Sequence, residues 1–148
     1  MARPFLLVDA HNVIFARPDL ARLHGRNPGA ARGQLTRILE RYQDATGIRV
    51  VAVFDGGAGA QATSEMSGQA GIQSMYPQAG QTADAVIERL VAKYASIHDL
   101  TVATNDNLIR AAAAAAAATT IDADTLFDEI VRADRELGAS LERLRKRK

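Results

Sequence analysis

Apolar residues along this chain gather into short unbroken runs that alternate with longer stripes at helical spacing. Residues 4–9, 48–54 and 100–104 are brief, almost wholly apolar and rich in β-branched side chains, the pattern of strands covered on both faces. Ile72 to Tyr76 is a shorter candidate strand, closed by Pro77. Leu35, Ile38, Leu39 and Tyr42 form a helical stripe, and Gly47 is placed to end it. Thr82 is placed to cap a helix that buries Val86, Ile87, Leu90, Val91 and Tyr94. A last helix starts near Asp124 with Leu126, Phe127, Ile130 and Val131 inward, and continues through Leu137, Leu141 and Leu144 into a basic end. Strands alternating with helices predict an α/β fold with a mostly parallel sheet.

Three segments lack such a pattern. A polar, Arg-bearing loop is expected after the first strand, through Gly25-Arg26-Asn27-Pro28-Gly29. Residues 56–71, rich in Gly, Ala, Ser and Gln, read as a long loop. Residues 111–118 are eight consecutive alanines. Alanine is the best helix former but is depleted in strands, and no turn residue is available where a crossover needs a helix end, a turn and a strand before Asp122. No function is read from this run.

A chain of 148 residues implies one domain with a single sizeable core, and 47% hydrophobic with 24% charged residues excludes wholesale disorder. The net charge of +1 does not by itself imply a nucleic-acid partner, but its distribution is uneven. Arg143, Arg145, Lys146, Arg147 and Lys148 crowd the helix end at about 138–148. The lack of cysteine excludes disulfides, thiolate metal sites and cysteine nucleophiles. Asp9 breaks the first apolar run, no small-residue cleavage site follows, and nothing approaches the roughly 20 apolar residues of a membrane span. A cytoplasmic protein without a membrane partner is therefore expected.

The candidate chemistry lies where the elements meet. Asp9, Asp55 and Asp106 each follow a predicted strand, and Asp84 opens a predicted helix. Strand carboxyl ends of an open parallel sheet share one edge, where ligands bind at the crossover crevice. Like charges gathered there are costly unless a cation or protons neutralise them, so a divalent metal is expected. Asp84 and Glu88 share a helix face, and Ala92 follows Glu88 where a compensating cation would stand. The helix dipole alone explains Asp84, though not Glu88. Asp9-Ala10-His11-Asn12 reads either as a strand-ending turn or as a carboxylate with a neutral amide to orient its ligand. Thr104-Asn105-Asp106 reads as a helix cap or as a further contributor to the same edge. Gly57-Ala58-Gly59 is too short for a dinucleotide fingerprint and lacks a P-loop lysine. His11, His24 and His98 have no metal-ligand spacing; His98 reads as structural or solvated and His11 as a substrate contact. Arg17, Arg22 and Arg26 with the basic tail are either solvated or a cationic rim for phosphates.

In order along the chain stand Asp9-x-x-Asn12, Val53-Phe54-Asp55, Gly80-Gln81-Thr82-Ala83-Asp84 with Glu88, and Thr104-Asn105-Asp106. This series resembles the YacP-like NYN-domain family of the PIN-like nuclease superfamily over nearly the whole chain. The resemblance implies a Rossmann-like α/β/α sandwich and metal-dependent cleavage of RNA. It also implies action at the ribosome, because one branch of that family is a ribosome-associated endoribonuclease. Two departures stand out. Ala10-His11 replaces the family's usual Gly-Tyr pair, and the alanine run replaces a Gly-Ala turn before the last core strand.

The expected protein is a Mg²⁺- or Mn²⁺-dependent endoribonuclease, hard oxygen donors favouring those ions over zinc. Asp9, Asp84 and Asp106 would hold one or two metals, Asp55 and Glu88 would be outer ligands or water holders, and Asn12 would orient them. His11, Arg17, Arg22, Arg26, Arg145, Lys146, Arg147 and Lys148 are the candidate RNA contacts. One alternative is a catalytically weak PIN-like module that docks on RNA or the ribosome, against which the concentrated negative charge argues. Another is a phosphoaspartyl enzyme or receiver. The former needs a second Asp where His11 stands, and the latter needs a lysine after the strand at 100–104.

Overall fold

The protein, described by a computed structural model over residues 3–55 and 71–146, is a five-stranded parallel sheet with helices on both faces. The expected loop at 56–71, apart from Gly71, lies outside the described residues, as do Gly57-Ala58-Gly59, Arg147 and Lys148. The elements run β1 (Pro4–Asp9), α1 (Ala10–Ala16), α2 (Pro18–Arg26), α3 (Pro28–Thr46), β2 (Arg49–Val53), β3 (Gln73–Met75), α4 (Ala83–Tyr94), β4 (Asp99–Ala103), α5 (Asn107–Ala115), β5 (Thr119–Ile121) and α6 (Ala123–Lys146). Strand order is β3-β2-β1-β4-β5. The chain winds outward from β1 through β2 and β3, then returns to the other side of β1 with β4. A crevice therefore opens at the carboxyl ends of β1 and β4.

Side-chain alternation divides the core. Leu6, Val8, Val50 and Ala52 face one way, against Leu35 and Leu39 of α3 and Leu126 and Ile130 of α6. Leu7, Val53 and Val102 face the other, against Val86, Ile87 and Val91 of α4 and Ile109 of α5. Local chemistry ends the helices where expected. Gly47 takes a left-handed φ of 75° after α3. Gly80, at φ 84°, closes a turn in which the Gln81 N–H bonds to the Gln78 carbonyl at 2.9 Å. That turn delivers Thr82, whose Oγ1 accepts from the Ala85 N–H at 3.1 Å and caps α4. His98 is structural, its ring 4.6 Å from that of Phe5 and 5.8 Å from that of Tyr94.

Three expectations need correction. The stretch after β1 is not a loop but two short helices, because Val13, Ile14 and Leu20 reach the core and Pro18 opens α2. Residues 25–29 hold only the junction, where Asn27 caps α3 through the Ala30 N–H. On α6, Leu126, Phe127 and Ile130 are buried, but Val131, Leu137, Leu141 and Leu144 are exposed. Val131 stands off the buried face, between the covered Ile130 and Ala133, and Leu137, Leu141 and Leu144 follow beyond the last buried residue of the helix among the described residues. Finally, the alanine run does make a turn. The Ala118 N–H bonds to the Ala113 carbonyl and the Ala117 N–H to that of Ala114, with Ala117 at φ 67°. This is a Schellman closure built without glycine, and Thr119 to Ile121 then form the strand. A left-handed alanine is disfavoured, so Ala117→Gly is expected to stabilise the protein by about 1 kcal/mol, read from denaturant midpoints at unchanged slope.

Candidate active site

Strand register brings the first two groups together. Val8 is level with Ala103, so the next residues on each strand, Asp9 and Thr104, stand side by side. Alternation turns both toward the α4 face, as it does Leu7 and Val102. Asp9 is 4% exposed and Thr104 fully buried. The Thr104 hydroxyl donates to Asp9 Oδ2 at 2.9 Å and accepts from the Asp106 N–H at 3.0 Å. Asp106 caps α5, its Oδ1 accepting from the N–H groups of Leu108 and Ile109. A parallel link runs beside it. Asn12 Oδ1 accepts from the Asn105 N–H at 2.7 Å, and Asn105 Oδ1 accepts from the Ala123 N–H at 2.8 Å. Residues 104–106 are thus tied to the start of α1, α5 and α6 together.

Asp84 joins from the first turn of α4, which begins at the same sheet edge. Burial, then the charges of Asp106, Asp55 and Glu88, raise its pKa above the ordinary carboxylate value. Burial dominates at Asp9 too. Repulsion from Asp84 and Asp106 adds to it, the Thr104 hydroxyl and the facing Asn12 N–H offset part, and the carboxyl is pushed up to about 6. The five acidic groups named from the sequence therefore feel one another at a single edge. They do not form a ready chelate. Among the described residues, no three Asp, Glu or His side chains come close enough together to hold a metal ion directly. Two of the three expected ligands spend an oxygen on the fold, Asp9 on Thr104 and Asp106 on the α5 amides. Asp84, Asp55 and Glu88 are exposed.

The expected RNA contacts separate into two groups. His11 is at the site, its Nε2 3.7 Å from Asp55 Oδ2. α2 returns toward the same edge, since the His24 ring lies 5.2 Å from that of His11. Arg22 and Arg26 of α2 are exposed. Arg17 instead packs its guanidinium 4.3 Å over the Phe127 ring. The tail does not join the rim. α6 starts at the acidic edge and its 24 residues carry Arg145 and Lys146 about 36 Å away. There Arg145 pairs with Glu142 at 3.5 Å. Thr104 and Asn105, which organise the crevice, read from the sequence only as part of a cap motif beside Asp106. A threonine in a wholly buried strand end was their one signal.

Comparison with known proteins covers nearly the whole chain. The YacP-like NYN domain family matches residues 6–148. The uncharacterized protein YacP of Bacillus subtilis (strain 168) is 29% identical over 133 residues, which span 89% of this chain and 78% of that protein. The crystal structure of Rae1 (YacP) from Bacillus subtilis superposes with a TM-score of 0.78 at 27% identity, covering 97% of this chain and 82% of that one. The structure of its W164L mutant gives 0.77 at 28% identity, over 95% and 82% of the two chains. No helix among the described residues is long and apolar enough to cross a membrane.

Proposed function

The chain belongs to the YacP-like NYN domain family, and from that premise we propose that it is a Mg²⁺- or Mn²⁺-dependent endoribonuclease working at the β1/β4 crevice. The observation that carries this reading is the charge conflict at Asp9. A carboxyl held at 4% exposure and pushed up to about 6 by burial, Asp84 and Asp106 is a cost that the Thr104 hydroxyl and the Asn12 N–H offset only in part, and a hard cation would relieve it further. The donor set suits such an ion, being all oxygen. Asp9, Asp84 and Asp106 would hold it mainly through bound water, as befits an ion that dehydrates reluctantly. Bound there, it would supply charge neutralisation at a phosphodiester and a water of lowered pKa.

The remaining roles belong to the chain. Thr104 keeps the Asp9 carboxylate aimed across the crevice and sets the distance to Asp106. Asn12 locks the Asn105 backbone, so that the three acidic positions keep their spacing. Asp55 and Glu88 would accept hydrogen bonds from water on the solvent side. His11, Arg22 and Arg26 would meet the RNA, while Arg145 and Lys146 would serve a separate contact, with messenger RNA on the ribosome as the setting.

Incubating the protein with labelled RNA, in EDTA and after adding back Mn²⁺ or Mg²⁺, tests the proposal. Internal cleavage products are expected only with added metal. Cleavage that persists in EDTA would remove the metal from the reading. Binding without cleavage at any metal concentration would favour a docking module instead.

A further inference from the structure

Beside the acidic crevice, α1 and α2 present a group of rings that packing does not require. On α1, Val13 and Ile14 take the core positions and are fully buried, while Phe15 points the other way and is 51% exposed. Its ring lies 4.5 Å from that of His11 and 4.9 Å from that of His24, and the two imidazoles are 5.2 Å apart. All three pairs meet edge-on, at interplanar angles of 64°, 63° and 87°. Each edge-to-face contact holds ring direction and engages one face of one ring, so three such contacts leave part of the group's aromatic surface uncovered by the others. The group is joined to the crevice through His11, which contacts Asp55. A cation also stands beside it. Arg32 is near enough to act electrostatically on His24 and has no salt-bridge partner among the described residues, whereas Arg22 and Arg26, two residues to either side of His24, lie toward the opposite face of α2.

A half-exposed aromatic group bordered by an arginine without a salt-bridge partner matches one kind of ligand well. A single nucleic-acid strand offers a flat base to the ring and a phosphate to the neighbouring cation. An apolar protein partner would use the ring but not the cation. We propose that His11, Phe15 and His24 form a nucleobase-stacking platform that holds one unpaired base next to the crevice, with Arg32 taking a flanking phosphate. The proposal rests on the endoribonuclease reading and adds to it a rule for substrate choice. The nucleotide on the platform must be unstacked from its neighbours, and it sets the register of the strand against the acidic residues.

The test uses a short single-stranded oligoribonucleotide carrying a fluorescent purine analogue, quenched by stacking, at successive positions. Wild type, Phe15→Ala, Phe15→Leu and Phe15→Tyr are compared by equilibrium binding in EDTA, with cleavage of the same RNA in Mn²⁺ followed alongside. Wild type should quench the analogue at one position more than at its neighbours. Phe15→Ala should abolish that preference and weaken binding about tenfold, as loss of one stacked base does. Phe15→Leu keeps apolar bulk without a π-face and should behave like Phe15→Ala with an unchanged melting temperature, whereas Phe15→Tyr should bind like wild type. Wild type that binds and cleaves the RNA while Phe15→Ala and Phe15→Leu bind equally well would overturn the platform and leave the nuclease standing. Wild type that neither binds nor cleaves RNA would overturn both.

Discussion

Asp9→Asn is expected to stabilise the metal-free protein at pH 7 and to abolish its RNA cleavage. The carboxyl stands at about 6 in the fold against an ordinary 3.8, because burial and the charges of Asp84 and Asp106 oppose its ionisation. That difference amounts to at most about 3 kcal/mol at neutral pH. Asparagine keeps an oxygen for the Thr104 hydroxyl and removes the charge; its new N–H group needs a partner, so the gain should fall below that ceiling. The sign follows from proton binding. The folded state holds the Asp9 proton more tightly than the unfolded chain, so wild-type stability from this group should decline as pH rises from about 4 to about 6. The variant should lack that decline, and below pH 4 the two should converge. Thermal melts in EDTA across that range measure it. Mn²⁺ should raise the wild-type midpoint and leave Asp9→Asn nearly unmoved, and cleavage should drop at least about 100-fold. A variant less stable than wild type at pH 7 in EDTA would show that Asp9 is held by attraction, and the charge conflict would no longer argue for a metal.

Thr104→Val should have the opposite effect on stability at neutral pH. The hydroxyl it removes is wholly buried and serves two partners, donating to Asp9 Oδ2 and accepting from the Asp106 N–H. Valine matches the shape but leaves a buried carboxylate without its donor and a backbone N–H without its acceptor. A loss of about 3 kcal/mol is expected at pH 7. At pH 5 the loss should shrink, because Asp9 is then largely protonated and no longer a buried charge. Thr104→Ser should restore most of it. Combined with Asp9→Asn, the valine variant should cost less than the two separate effects predict, since both act on one interaction. Denaturant midpoints at the two pH values decide the matter. An equal cost at both would mean that the hydroxyl serves the backbone alone. Cleavage should fall in the same variant, as the spacing between Asp9 and Asp106 is no longer set.

Much of the architecture was legible in the residue order. Three apolar runs became β1, β2 and β4, Gly47 and Thr82 sit at the helix ends where their chemistry belongs, and four aspartates stand at one edge. These features are local: periodicity, capping and turn preference act within a few residues. Residues 10–26 escaped the same reading because helices of seven and nine residues are too short to show a full stripe, and their core contacts come from α3 and α6. On α6 the inward placing of Val131 fails because spacing marks an apolar face without fixing where that face's edge lies. At the site, sequence identified the carboxylates by position but not the use of each oxygen. Only the tertiary structure sets Thr104 against Asp9, 95 positions away, and turns one oxygen of Asp106 into a cap. That pairing is a consequence of parallel register between β1 and β4, which depends on how two distant runs align across the sheet and leaves no mark in either run alone.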